Sequence, residues 1–244
     1  MTSAKRIALV TGGNKGIGLE LSRNLSSAGC TVLLGARNPE RGQNAVLKLK
    51  QSGLNDVHFI EIDVTKQETI TAAAQAIDAQ YGRLDILMNN AGINLRGDGL
   101  PSVADPAVVQ RVFDTNFLGA LRVAQTMLPL LRKSAAGRIV NISSGLGSLS
   151  LSSDPASPHY DTKLIGYCAS KAALNMLTVH LAYELRDTNI KVNSANPGFT
   201  KTDLNDNRGI QPVEVGAIAA TRLAVLDADG STGGVFSKDG PDPW

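Results

Sequence analysis

The segment Ile7-Ala8-Leu9-Val10-Thr11-Gly12-Gly13-Asn14-Lys15-Gly16-Ile17-Gly18 restricts the possible folds more than any other stretch of the chain. A short apolar run breaks into a glycine-rich turn, and a helical pattern begins at once. Ile17, Leu21, Leu25 and Ala28 recur at three- and four-residue spacing, which is one face of a helix. Strand, tight turn and helix in this order make a phosphate cradle. Glycine lets a ligand approach the main chain closely. The start of the helix aims unpaired N–H groups and the positive end of its dipole at an anion. The expected ligand is a pyrophosphate-bearing nucleotide, held by Gly12, Asn14, Lys15, Gly16, Ile17 and Gly18. The glycine spacing differs from the usual G-x-G-x-x-G fingerprint, so the turn alone does not identify a binding site.

The remaining pattern repeats the same alternation. Residues 31–36, 57–62, 84–88, 138–142, 190–194 and 234–237 read as further strands. Between them lie helical stripes. One is opened by Pro39, and one by Thr65 with Glu68 three residues on, as a capping box. Others cover 108–131 and a stretch from about 160 or 164 to 185, and a last one is opened by Pro212 and runs to 226. Residues 94–106 and 147–158 read as irregular. Such alternation predicts βαβ units and a parallel sheet covered on both faces. No linker divides the 244 residues, so the expectation is one α/β domain over residues 1–244, doubly wound, with about seven strands. In such sheets ligands bind beyond the carboxyl ends of the strands, where Gly12, Arg37, Asp63, Asn90, Ser144 and Pro197 all fall.

Composition removes several function classes. A net charge of +2 argues against a nucleic-acid surface. Cys30 and Cys168 have no metal-like spacing, nor do the three histidines, so no metal is expected. No apolar run approaches the length of a membrane span, and the first six residues carry no signal region, which leads to the expectation of a cytoplasmic protein.

Two features point to chemistry. Arg37 lies 19 residues after Gly18, at the end of the second strand. An acid there would hold the ribose 2′-hydroxyl of NAD, whereas an arginine accommodates the 2′-phosphate of NADP. With Lys15 in the turn, two cations and no acid favour NADP(H); the alternative is a solvated surface charge. Tyr167 and Lys171 stand at i and i+4, on one helix face. An ammonium beside a phenol lowers its pKa below about 10, which suits a general acid/base.

These residues stand in a sequence of motifs that resembles the short-chain dehydrogenase/reductase family over essentially the whole chain. The motifs are Thr11-Gly12-x-x-x-Gly16-Ile17-Gly18, Asp63-Val64, Asn89-Asn90-Ala91-Gly92, Asn116, Ser144, Tyr167-x-x-x-Lys171 and Pro197-Gly198-x-x-x-Thr202. The Gly13-Asn14-Lys15-Gly16 turn, Arg37 and the ending through Thr232-Gly233-Gly234-Val235-Phe236-Ser237 to Pro243-Trp244 resemble the carbonyl-reductase-like branch. The resemblance implies a Rossmann fold and NADPH-dependent reduction of a ketone or aldehyde. It implies that Tyr167 protonates the carbonyl oxygen, Ser144 hydrogen-bonds it, and Lys171 tunes Tyr167 and binds the nicotinamide ribose. Asn116 would bend its helix and hold a water linking Lys171 to solvent. Asp63 and Val64 would meet the adenine, and Asn90, Ala91 and Gly92 the adenosine ribose. Pro197, Gly198, Thr200 and Thr202 would touch the nicotinamide end. Tyr160, whose lysine comes at i+3, is assigned to the pocket wall or the surface.

The chain departs from the family pattern in two places. The gap from Ser144 to Tyr167 is longer than the family's shortest form, through a Ser/Pro-rich segment around 150–159. In carbonyl reductases a longer insertion is associated with covering the helix face used for dimerisation, so both monomer and homo-oligomer stay open. The loop 203–211 is short and polar, which predicts an open pocket for a small carbonyl substrate. Two other functions compete with this one. A ketoreductase for an acyl thioester or secondary-metabolite ketone would use Arg96, Lys201 or Arg208 at the mouth. A non-catalytic NADP-binding redox sensor would not need the Tyr167/Lys171 pair.

Overall fold

The computed structural model describes residues 5–244; residues 1–4, part of the N-terminal segment read above as free of a signal region, lie outside the described residues. The strands are β1 (Ile7–Val10), β2 (Thr31–Ala36), β3 (Val57–Glu61), β4 (Ile86–Asn89), β5 (Arg138–Ile142), β6 (Lys191–Ala195), β7 (Val235–Ser237) and β8 (Gly240–Pro241). They form one sheet in the order β3-β2-β1-β4-β5-β6-β7-β8. All neighbours are parallel except β7 and β8. The about seven strands expected therefore become eight, because the chain turns back after Ser237 to add a two-residue antiparallel edge. Strand order reverses between β1 and β4, which is the switch point where doubly wound sheets bind ligands.

The helices are α1 (Gly16–Ser27), α2 (Pro39–Gln51), α3 (Gln67–Tyr81), α4 (Pro106–Phe113), α5 (Gly119–Leu131), α6 (Leu149–Ser153), α7 (Ile165–Glu184), α8 (Val213–Gly216) and α9 (Ile218–Ala224). They cover both sheet faces, so the central strands β1, β2 and β4 read as mainly apolar runs rather than alternating ones. Successive side chains still point to opposite sides. Leu9, Leu33, Leu87 and Ile139 pack with Ile70, Val123, Met127 and Leu174 from α3, α5 and α7. Val10, Leu34, Met88 and Val140 pack with Leu21, Leu25, Leu49 and Leu223 from α1, α2 and α9. A buried polar chain adds to the hold on α7: Asn141 Nδ2 donates to Thr178 Oγ1 at 2.8 Å, and Thr178 Oγ1 lies 2.8 Å from Ser194 Oγ.

Three local expectations change. Thr65 does not cap α3; its hydroxyl and N–H both donate to Asp63 Oδ1, and the helix starts later, without a side-chain cap. The helical pattern of 108–131 is one path in three pieces, with a π turn at Asp114–Leu118 between α4 and α5. It begins at Pro106, where Asp105 caps it. The segment 147–158 contains α6, and Ser150 ties that helix to the end of the chain through two bonds to the Trp244 carbonyl. The apolar groove between α5 and α7, lined by Phe117, Leu121, Met176 and Leu177, includes no residue of this insertion.

Candidate active site

A cleft of about 370 Å³ opens along the carboxyl ends of β1 to β6, and nearly all the residues expected to bind a ligand meet in it. Its first end is the turn between β1 and α1. Thr11 Oγ1 accepts the N–H groups of Asn90 (3.0 Å) and Ala91 (3.1 Å) and donates to the Met88 carbonyl. In return, Asn90 Nδ2 donates to the carbonyls of Thr11 (2.9 Å) and Gly12 (3.1 Å). The two loops at the switch point are thus cross-stitched. Gly12 sits at φ +63°, which disfavours other residues. At Gly18 a Cβ would collide with the Gly12 carbonyl and the Asn90 amide. The N-terminus of α1 carries no side-chain cap, so the turn fits an anionic ligand. Asn14, Lys15, Gly16 and Ile17 complete this wall.

Arg37 stands exposed at the end of β2, and Asp63 and Val64 follow β3; all three line the cleft. Val64 is buried against Gly119. Lys15 Nζ pairs with Asp203 Oδ2 at 2.8 Å across the cleft mouth. The loop that carries Asp203 is held by its own hydrogen bonds. Asn205 Nδ2 donates to the Thr200 carbonyl, Lys201 N–H donates to the Gln211 carbonyl, and Thr202, Asp203 and Leu204 wall the cleft. Pro197 lines the cleft too. Gly198 and Thr200, expected at the nicotinamide end, stand behind this wall. The Thr200 hydroxyl is buried and donates to the Pro197 carbonyl, and Gln211 packs against Gly198.

The other end gathers Ala91, Gly92, Ser143, Tyr167 and Lys171. Tyr167 is 9% exposed and Lys171 4%. Lys171 Nζ donates to the Ile142 carbonyl at 2.7 Å and lies 5.7 Å from the centre of the Tyr167 ring. Burial pushes the Tyr167 phenol up to about 12, against the opposing pull of the Ser144 hydroxyl beside it. Burial pushes Lys171 down to about 8. The expectation that Lys171 would bring the Tyr167 pKa below its usual value is not met here. Both groups are desolvated, and the ammonium is directed at a carbonyl rather than at the phenol. Of the two serines after β5, Ser144 is the one beside Tyr167, while the Ser143 hydroxyl is buried without a partner.

Asn116 lies beneath this end, in the π turn, and is buried. Its Oδ1 accepts the Ile93 N–H at 2.8 Å, and its Nδ2 donates to the Ile93 carbonyl and to Ser170 Oγ, both at 3.0 Å. Tyr160 is 38% exposed, with Lys163 Nζ 4.5 Å from its ring centre, away from the cleft walls. Sequence reasoning missed the roles of Thr11 and Asp203. A threonine closing an apolar strand just before the glycines was the available signal for Thr11. Asp203 had none, because its partner is 188 residues away.

Known proteins match this architecture. The family described as short chain dehydrogenase matches residues 6–212. The short-chain dehydrogenase anuI of Penicillium roqueforti is 38% identical over 240 residues, covering 96% of this chain and 93% of that protein. The (+)-neomenthol dehydrogenase of Capsicum annuum is 31% identical and covers 97% of both. The NADPH-bound carbonyl reductase from chicken fatty liver superposes with a TM-score of 0.85 at 27% identity, over 99% of this chain and 100% of that one. The chain belongs to the short-chain dehydrogenase/reductase family, on its carbonyl-reductase-like side, and is an oxidoreductase of the alcohol/carbonyl couple.

Proposed function

We propose that the described chain works as a single dinucleotide-binding and catalytic unit that reduces a ketone or aldehyde to an alcohol, reversibly, with NADP(H). The observation that carries this reading is the arrangement of one cleft. An anion-fitting turn flanked by Lys15 and Arg37 forms one end, and Tyr167 with Lys171 forms the other, with the Ser144 side chain beside Tyr167. The nicotinamide supplies the hydride when bound. Tyr167 donates its proton to the carbonyl oxygen, and a phenol with its pKa up at about 12 keeps that proton until negative charge develops there. The Ser144 hydroxyl donates a hydrogen bond to the same oxygen and stabilises the developing charge. Lys171 holds the nicotinamide ribose hydroxyls while anchored to the Ile142 carbonyl. Asn116 fixes the floor by clamping Ile93 and Ser170, and its π turn is the place for a water linking Lys171 to solvent. Gly12, Asn14, Gly16, Ile17 and Gly18 cradle the pyrophosphate, and Arg37 and Lys15 take the 2′-phosphate. Asp63 and Val64 flank the adenine, Asn90, Ala91 and Gly92 the adenosine ribose, and Pro197 and Thr202 the nicotinamide end.

The deciding experiment compares NADPH with NADH oxidation on a panel of ketones, aldehydes and diketones, for wild type and Arg37→Asp. NADPH preference that collapses in the variant is the expected result. Turnover with NADH alone would sink the coenzyme assignment and leave the carbonyl chemistry standing.

A further inference from the structure

The helix that carries Tyr167 begins without a cap of its own. Leu164, at its N-cap position, offers no side-chain hydrogen bond, and no acid lies in its first turn. The missing acceptors come from Asp98, in the loop between β4 and α4. Asp98 Oδ1 accepts the Gly166 N–H at 2.8 Å and the Gly99 N–H at 2.9 Å, and Oδ2 accepts the Tyr167 N–H at 2.8 Å. The Ile165 N–H donates to the Gly99 carbonyl at 2.9 Å, so three successive N–H groups of the helix start donate to acceptors of this loop. An ionised carboxylate on first-turn N–H groups also meets the positive end of the helix dipole. The space is built to fit. A Cβ at residue 166 would lie 3.1 Å from Asp98 Oδ2 and 3.2 Å from the Val109 Cα, so a side chain there would press the carboxylate away by a few tenths of an ångström.

We infer that Asp98 is a positioning residue for catalysis, acting through the backbone of Tyr167. The inference rests on the reading of Tyr167 as proton donor. Asp98 is not among the residues that line the cleft. It sets where the third residue of α7 stands, and with it the phenol relative to Ser144. A displacement of about 1 Å at a reacting group can reduce turnover by about a hundredfold. Asparagine is a poor substitute. It has one acceptor oxygen, and either orientation of the amide points its NH2 group at an N–H that the carboxylate accepts.

The test uses the full chain and reads kcat, the coenzyme KM and Tm for Asp98→Asn, Asp98→Ala and Gly166→Ala. The controls are Tyr167→Phe and Asp105→Ala, the latter removing the cap of α4 next door. The expected result is a kcat loss of about tenfold to a hundredfold in both Asp98 variants, with the coenzyme KM nearly unchanged. Asp105→Ala lowers Tm and keeps kcat. Gly166→Ala introduces a better helix former yet lowers kcat, because its Cβ crowds the carboxylate. Asp98 variants that lose only Tm, as Asp105→Ala does, would overturn the inference. So would Gly166→Ala with full kcat. An active Tyr167→Phe enzyme would remove the reading of Tyr167 itself, and the inference with it; an inactive one beside fully active Asp98 variants would remove the inference alone.

Discussion

Lys15 and Asp203 form an ion pair of 2.8 Å that joins the glycine turn to the loop after β6 across the mouth of the cleft. The Lys15 ammonium holds the Asp203 carboxyl below its usual range. Both side chains are exposed, so the pair contributes at most about 1 kcal/mol. Lys15 is also the cation assigned to the 2′-phosphate, so coenzyme and Asp203 compete for it. Asp203→Asn is expected to tighten NADPH binding by up to about fivefold and leave NADH unchanged, with the difference shrinking in high salt. Coenzyme fluorescence titrations at two salt concentrations measure this. Equal affinity of variant and wild type for NADPH would place Lys15 outside the reach of the phosphate.

Two tyrosines lie close in sequence, and the structure separates their surroundings. Tyr167 is buried beside Ser144, whereas Tyr160 stands half-exposed under Lys163. Tyr167→Phe is expected to lower turnover by about a hundredfold to ten-thousandfold while NADPH still binds. Tyr160→Phe is expected to leave turnover within about twofold, since no general acid is removed. Steady-state rates with coenzyme binding alongside test the pair, and the reverse pattern would refute the assignment.

Lys171 makes stability depend on pH in a defined direction. Its folded pKa is about 8, below the unfolded value of about 10.4. Below pH 8 both states carry the proton, and the folded state bears the full cost of a buried ammonium. Between the two values the unfolded chain holds a proton that the folded chain has released, so stability rises with pH. Lys171→Met lacks this dependence. Its stability advantage over wild type is therefore expected to be largest near pH 7 and to narrow from pH 8 towards pH 10, by up to roughly 1.4 kcal/mol of unfolding free energy per pH unit, with the Tm gap narrowing in step. Melting curves of both proteins across that range decide it, and a constant gap would mean that Lys171 titrates as an ordinary surface lysine.

The glycine turn offers a steric test. A methyl group at Gly18 collides with the Gly12 carbonyl and the Asn90 amide, the two groups that shape the cradle. Gly18→Ala is expected to cost about 1–3 kcal/mol of stability through overpacking and to weaken NADPH binding at least tenfold, roughly 1.4 kcal/mol. Calorimetric binding and a melting curve give both numbers, and an unchanged Kd would show that the pyrophosphate sits elsewhere.

Much of this molecule is legible locally. Mainly apolar runs of four to six residues mark β1, β2 and β4, because strands buried on both faces need no alternation, while β3, β5 and β6 carry polar residues within shorter apolar stretches. The i, i+4 spacing of Tyr167 and Lys171 puts them on one face of α7 whatever surrounds it. The tail was less legible, since β8 is two residues that pair only because β7 is already in place. The Thr65/Glu68 capping box failed because Asp63 offers the Thr65 hydroxyl a nearer acceptor.

The order of strands and helices, the anion-fitting turn and the residue types at the strand ends were determined by the sequence itself, through periodicity, glycine placement and spacing along single elements. Tertiary structure decided which of those residues act on one another. Asn116 is joined to Ile93, Lys171 to the Ile142 carbonyl, Lys15 to Asp203 and Asp98 to the start of α7, across separations of 23 to 188 residues. It also decided the proton affinities. An i, i+4 lysine beside a tyrosine predicts a depressed phenol in water, but burial removes the solvent that would stabilise phenolate and ammonium alike, and each group is driven towards its neutral form.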